Sequence, residues 1–251
     1  MIARMTKDAI LETLRGGLIV SCQADAGSPT DDPQILAAFA QCAVAAGAVA
    51  IRANYGRNIT AIAKVVQVPI IGIKKRNVPP WPVYITPELA DAEEVVQAGA
   101  TIVAADATRR PRPVPFARLV QAIQQDLGAL VMADCATLED GLAAAEAGAD
   151  LVATTMSGYT EDTAHLRTGP DLDLVAALAQ RLDCPVICEG RIHHPDEARA
   201  ALEAGAFAVV VGTAITSPTW IARQFVDALS HGRRTHSLPF PRSKEAPEGS
   251  P

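Results

Sequence analysis

Aromatic residues are scarce in this sequence: Phe, Tyr and Trp together make up 4% of 251 positions. Platforms that stack single-stranded nucleic acid need such rings, so that class of partner is not expected. A basic excess is also missing. The formal net charge is −6 and the sequence pI about 5.4, with no polybasic run, which argues against a general binder of nucleic acid or of anionic membranes. No apolar run approaches the ~20 residues of a membrane-crossing helix. The opening "MIARMTKDAI" carries charges throughout and has neither an apolar core nor a cleavage site, so it is not read as a signal peptide. Five cysteines, odd in number and without C-x-x-C spacing, point to reduced thiols in a cytoplasmic protein. No His stands at a zinc-like spacing to them, so no metal site is expected.

What the sequence has instead is repetition. Four stretches share one punctuation: "AAGAVAIRA" around Gly47, "QAGATIVAADA" around Gly99, "EAGADLVATT" around Gly148 and "EAGAFAVVVG" around Gly205. Each is an Ala-rich helical pattern, a Gly suited to a left-handed helix C-terminus, and a β-branched run. Between them lie "GLIVSCQA", "VPIIGIK", "GALVMADC" and "CPVICEG". Alternating the two sets predicts eight strands, near residues 18–23, 48–53, 69–74, 101–106, 129–134, 150–155, 185–189 and 207–212. Helical segments fall between them, such as Pro33–Ala46, Pro87–Ala98, Leu138–Ala147 (with Thr137 as N-cap) and Pro195–Ala204. The strands are continuous apolar runs, which marks them as buried on both faces and parallel. Eight βα units in one chain with 49% apolar residues fit an α/β fold of the (β/α)8 TIM barrel kind, as a single domain over 1–229. "TKDAILETLRGG" reads as a short helix ahead of the first strand, and 230–251 as a disordered tail. An open doubly wound sheet is the competing architecture; it usually shows G-x-G-x-x-G after its first strand, where this chain has "QADAGSPTDD".

Active sites of such barrels lie at the C-terminal ends of the strands. Read in order, those ends are Gln23, Arg52, Lys75, Asp106, Asp134, Thr155, Glu189 and Gly212. Ordinary turns would supply Gly, Ser, Pro and Asn there. Lys and Glu together suit proton transfer at a carbon beside a carbonyl, with the lysine tuned down by an apolar wall and neighbouring cations. Arg52 cannot titrate and suits an anionic or oxygen-rich group. Gly190 and Gly212 expose backbone N–H groups after the last two strands, next to Arg191 and Thr213, an arrangement suited to phosphate. His193 and His194 suit the start of the following helix better than chemistry. Cys22, Cys135 and Cys188 neighbour polar strand-end residues, so strand alternation turns them away from the pocket as core thiols.

Together, "PIIGIKKR", "DATRRPRP", "MADCATLEDG", "TTMSGYT", "PVICEGRI" and "VVVGTAIT" resemble, in order and over nearly the whole chain to about Leu229, the bacterial N-acetylmannosamine-6-phosphate 2-epimerases. That resemblance implies a cofactor-independent TIM barrel that interconverts N-acetylmannosamine 6-phosphate and N-acetylglucosamine 6-phosphate in sialic acid breakdown. It implies Lys75 and Glu189 as catalytic residues, and Gln23, Arg52 and Asp134 as sugar contacts. Gly190, Arg191, Gly212 and Thr213 fall at the phosphate end. The chain departs from the family pattern in three places. Lys74 stands at a usually apolar position and is expected to face the barrel wall or its helices. Thr213 and Ser217 replace a Gly and an Arg, and "NVPPWPVY" is a Pro-rich insertion carrying Trp81. Other sugar-phosphate barrels stay open, including a pentulose-phosphate epimerase or a Schiff-base aldolase, as does an idle sugar-phosphate-binding protein. The expected partner is a small amino-sugar phosphate; a homodimer is left open.

Overall fold

The computed structural model describes residues 6–232. It shows eight parallel strands closed in sequence order into a barrel, each neighbour hydrogen-bonded to the next and β8 to β1. The strands are β1 (Leu18–Cys22), β2 (Ala50–Asn54), β3 (Ile70–Ile73), β4 (Ile102–Asp106), β5 (Leu130–Asp134), β6 (Leu151–Ala153), β7 (Val186–Glu189) and β8 (Ala208–Val211). Around them run α2 (Pro33–Ala45), α3 (Gly56–Ala63), α4 (Leu89–Gln97), α5 (Phe116–Gln125), α6 (Leu138–Glu146), α7 (Leu172–Arg181) and α8 (Pro195–Glu203), after an N-terminal α1 (Lys7–Leu14). A short α9 (Thr213–Thr216) follows β8. All eight expected strands are present, and the expected helices agree to within a residue or two. The largest shift is α4, which begins at Leu89 because Glu88, not Pro87, takes the extended N-cap position.

Local chemistry explains the punctuation. Gly47, Gly99, Gly148 and Gly205 all have positive φ, from 91° to 118°, one residue past a helix cap where a side chain would be strained. Asp32 accepts from the N–H groups of Gln34 and Ile35 ahead of Pro33, and Thr137 accepts from Asp140. Those caps start α2 and α6 where the sequence predicts.

Two apolar layers follow from strand alternation. Ile19, Ala50, Ile71, Ile73, Met132 and Ile187 point inward and fill the barrel, and Ile10 and Leu14 of α1 join the same cluster and plug one end. Val20, Ile51, Val103, Val131 and Val152 point outward against the helices. The barrel is therefore packed solid below its mouth, which leaves the strand C-terminal ends as the place for a ligand.

Contacts divide the chain after Ser217. The second unit begins with a helix, α10 (Pro218–Gly232), which exposes Phe225, Val226 and Leu229. It carries the first three residues of the expected tail; the remainder, 233–251, lies outside the described residues.

Candidate active site

Inward parity sets which strand-end residues meet. On β2 the inward series is Ala50, Arg52, Asn54; on β3 it is Ile71, Ile73 and, beyond the strand, Lys75. On β5 it ends at Asp134, on β6 at Thr155 and on β7 at Glu189. Arg52 reaches across the barrel and grips Asp134 with both arms, Nη1 to Oδ1 at 3.1 Å and Nη2 to Oδ2 at 2.7 Å. Its Nη1 also lies 3.0 Å from Glu189 Oε2. Thr155 Oγ1 sits 2.7 Å from Asp134 Oδ1 and 3.1 Å from Glu189 Oε2, tying the two carboxylates together. Thr154 fixes the Glu189 backbone, accepting from its N–H and donating to its C=O.

Depth differs within this group. Asp134 is 0% and Arg52 1% exposed, whereas Glu189 keeps 12% and Lys75 is half-buried. Arg52 and Asp134 form the floor; Lys75 and Glu189 lie above it, nearer the solvent. Burial lowers the Lys75 pKa, and the Arg52 charge pushes it the same way against the pull of Glu189, Asp134 and Asp25. Burial raises the Glu189 pKa, and Asp134 adds to this against the opposing Arg52 and Lys75 charges. For Arg52, burial opposes the charge, but Asp134 and Glu189 outweigh it and hold the guanidinium firmly protonated.

Gln23 lies at the end of β1 and donates from Nε2 to Ser21 Oγ at 2.7 Å. Its Oε1 and the Nε of Arg52 are buried without a protein partner. Such atoms are rare in folded proteins and commonly belong to ligand sites. At the end of β7, Gly190 (φ 114°) and Arg191 (φ 55°) both take the left-handed region. The Arg191 guanidinium donates to the carbonyls of Gly169, at 2.8 Å, and of Ser157, and lies over the Tyr159 ring. Its charge thus secures the loop between β6 and α7. Gly212 caps α9, where a Cβ would meet Ser21 at 3.2 Å; Thr213 is exposed and Ser217 half-buried.

The other expectations also find places. Lys74 points outward to α4, 2.5 Å from Glu94 and 3.6 Å from Asp91. Cys22, Cys135 and Cys188 sit in the outward layer, where burial pushes the Cys22 and Cys188 thiols up to about 12 and that of Cys135 well up. The His193 and His194 N–H groups donate to Glu197 at the start of α8. Among the described residues no group of His, Cys, Asp and Glu could hold a metal.

Three residues enter the site that sequence reasoning did not assign. Asn54 continues the inward parity of β2, a signal that was there to use. Asp106, a strand end to which the sequence assigns no role, is fully buried and holds Arg110 Nη2 at 2.7 Å and Thr108 Oγ1 at 2.6 Å. Tyr84 arrives from the β3–α4 connection, and its hydroxyl donates to Met156 Sδ at 3.7 Å. Burial and Asp106 raise its pKa, so it stays a neutral donor.

A closed parallel barrel whose mouth gathers a lysine and a glutamate above a buried arginine–aspartate floor is a scaffold suited to acid–base chemistry. The chain belongs to the family described as "Putative N-acetylmannosamine-6-phosphate epimerase", which matches residues 36–231. A protein of Thermosynechococcus vestitus, named "Putative N-acetylmannosamine-6-phosphate 2-epimerase", is 51% identical over 216 residues, covering 86% of this chain and 94% of that one. One of the same name from Synechococcus elongatus is 50% identical over 230 residues, covering 90% and 99%. Among solved structures, the N-acetylmannosamine-6-phosphate 2-epimerase from Clostridium perfringens superposes with a TM-score of 0.84 at 41% identity, covering 87% of this chain and 96% of that one.

Proposed function

We propose that this protein interconverts N-acetylmannosamine 6-phosphate and N-acetylglucosamine 6-phosphate, by removing the C2 proton and returning one to the opposite face. The observation that carries the reading is the meeting of Lys75 and Glu189 at the ends of opposite strands, above the Arg52–Asp134 pair, where burial pushes the lysine down and the carboxyl up. A sugar C2–H is acidic only beside a carbonyl, so the reacting form is the ring-opened sugar with an aldehyde at C1. Neutral Lys75 takes the C2 proton. The C–H electron pair forms the C1=C2 bond and the carbonyl pair moves onto O1. Protonated Glu189 donates a hydrogen bond to O1, beside the fixed charge of Arg52. C2 then takes a proton on its other face, from the Lys75 ammonium once the enolate has turned or from water, the O1 pair re-forms the C1=O1 bond, and the epimer results.

Arg52 and Asp134 are deeply buried, so the contacts they offer the sugar come from the floor of the site. They orient Glu189 and supply charge to Lys75 and Glu189, with Arg52 Nε left over for an oxygen of the ligand. Gln23 Oε1 is a second such group. We place the phosphate at the ends of β7 and β8, against the backbone N–H groups at Gly190, Gly212 and Thr213. The four-residue α9 adds little dipole, and the Arg191 guanidinium is engaged with carbonyls, so its share would come from its backbone. A weaker phosphate grip than in relatives carrying an Arg at position 217 follows. We read the setting as cytoplasmic sialic acid breakdown on family likeness; no helix among the described residues is long and apolar enough to cross a membrane.

The test is proton exchange in deuterated water, followed by NMR at C2. The reading expects deuterium at C2 in both sugars at equilibrium, and the phosphorylated sugar preferred over the free one. Turnover without exchange would sink the enolate mechanism, and no phosphate preference would sink the substrate. In Ser217→Arg, the preference for phosphate is expected to grow about ten- to a hundredfold, the worth of one charge-assisted bond.

A further inference from the structure

We propose that Asn54 is a positioning residue for Lys75, and that the turn between β2 and α3 serves to aim that lysine at the mouth. The proposal rests on the reading of Lys75 as the base. Lys75 lies two residues beyond the end of β3, where a chain would ordinarily be free to move. Here its neighbours are held from one side by the returning segment: Lys74 N–H donates to Thr86 Oγ1 (3.1 Å), Thr86 N–H to Lys74 O (2.8 Å), and Arg76 N–H to Tyr84 O (2.9 Å). The N–H of Lys75 itself faces the other way. It donates to the side-chain Oδ1 of Asn54 at 3.0 Å.

That bond replaces a missing rung. The last β2–β3 rung joins Tyr55 N–H to Ile73 O at 3.0 Å, and the next in a parallel ladder would take Lys75 N–H to the Tyr55 carbonyl. The chain leaves the sheet at Tyr55, with φ 69° and ψ 139°, so the backbone rung is lost and the Asn54 amide takes its place. Because the donor is a backbone N–H, the atom facing it must be the amide oxygen, which fixes the side chain's orientation. A bulky residue with positive φ is uncommon and persists where its surroundings over-determine it. They do so here. Asn58 Nδ2 donates to Asn54 O at 2.9 Å, both residues being buried. Gly56 N–H donates to Glu94 Oε1 at 3.0 Å, while Glu94 Oε2 holds Lys74 Nζ. The turn and the lysine segment are thus tied twice: inside through Asn54 and Lys75, outside through Gly56, Glu94 and Lys74. A satisfied buried amide needs no second tie on the outer face, whereas a segment carrying a base whose placement sets the rate does.

The charged groups that bear on Lys75 are Arg52 on β2, Asp134 on β5, Glu189 on β7 and Asp25 in the β1–α2 loop. Lys74 and Arg76, on its own segment, are turned out onto carboxylates. Asn54→Ala removes the acceptor; Asn54→Asp keeps an acceptor oxygen and adds one negative charge beside Lys75. Steady-state kinetics against pH are measured on both, with Lys75→Ala alongside and thermal melts of all three. Asn54→Ala is expected to lower kcat about 30- to 100-fold with KM within threefold, since small misplacements of a reacting group cost on that order. Asn54→Asp is expected to recover most of kcat and to move the rising limb of the pH profile, on which Lys75 loses its proton, up by about one unit. If Asn54→Ala melts lower yet turns over normally, the residue is structural only and the proposal falls. It falls also if Asn54→Asp loses as much kcat as Asn54→Ala, or leaves the rising limb in place; that variant decides the matter if the alanine form does not fold. Retained turnover in Lys75→Ala would instead overturn the reading of the base, whatever Asn54 does.

Discussion

Two clusters of cations and carboxylates stand one residue apart on the same segment, and their electrostatics are opposite. At the rim, Lys74 and Arg76 turn outward onto Glu94, Asp91 and Glu88. The hydrogen bond with Glu94 raises the Lys74 pKa, and the same bond lowers that of Glu94. Each partner there holds the other in its charged form. At the mouth, Lys75 is lowered and Glu189 raised, first by burial and then by a shared neighbourhood of charge. Each is pushed toward its neutral form. The same residue types make a fastening in water and, out of it, a pair suited to proton transfer. Desolvation decides which, because it penalises charge where no close partner offsets it.

The largest break in this contrast is Lys75→Ala. It is expected to cost about 10³-fold or more in kcat/KM, the scale of losing a general base, while Lys74→Ala stays within about twofold of the parent. Comparable losses in the two variants would mean that the inward lysine has been misassigned. Next comes the pH profile. In the proposed mechanism the reacting state carries one proton at the mouth, on Glu189, and none on Lys75. Activity should therefore rise as the site goes from two protons to one and fall as the last is lost, with both limbs inside the interval from 4.5 to 10.5. Glu189→Gln is expected to lower kcat about 10²-fold and to leave a single limb that rises with pH.

Stability sharpens the contrast further, with smaller effects. A raised carboxyl pKa contributes stability that is fully present below its unfolded value and lost as pH rises through the folded value. Ionised Glu189 is thus a liability at neutral pH, and Glu189→Gln is expected to melt higher at pH 8 than the parent, by a margin that shrinks toward pH 4. The rim has the opposite sign. The contribution of Glu94 is present above its unfolded pKa and lost as pH falls through its lowered folded one; that of Lys74 is present below 10.5 and lost as pH rises through its raised one. Lys74→Ala should therefore melt lower between those limits. The loss is put at under about 1 kcal/mol, because Lys74 and Glu94 are 26% and 40% exposed and solvent screens the pair. A melting shift of the same sign in both variants would erase the distinction.

The sequence disclosed most of the frame because its signals are local. Each left-handed Gly, each Asp or Thr cap and each run of β-branched residues acts within a few positions, and eight such units are the number that closes a barrel. Parity then carried Arg52, Lys75, Asp134 and Glu189 to a common point, since a strand's inward residues are fixed by counting. What stayed hidden depends on where loops return. Nothing in "EGRI" shows that the Arg191 guanidinium is spent on carbonyls of the preceding loop. Tyr84 reaches the mouth only because the segment after Lys75 folds back beside it. Asn54 was countable, but its use as a substitute rung follows from the departure of the chain at Tyr55, which no composition rule announces.

The adjacent lysines also make this strand end tolerant in one direction of sequence drift. Inserting one residue between Ile73 and Lys74 would slide Lys74 into the inward position, so the pocket would still receive an amine. Deleting Lys74 would slide Lys75 outward and bring Arg76 in, and an arginine cannot give up its proton to serve as a base. Length variation at the end of β3 is thus asymmetric in its consequences: a lineage could lengthen this connection and keep an amine in the pocket, while shortening it by one would leave a well-folded barrel with a fixed charge where the proposed base had been.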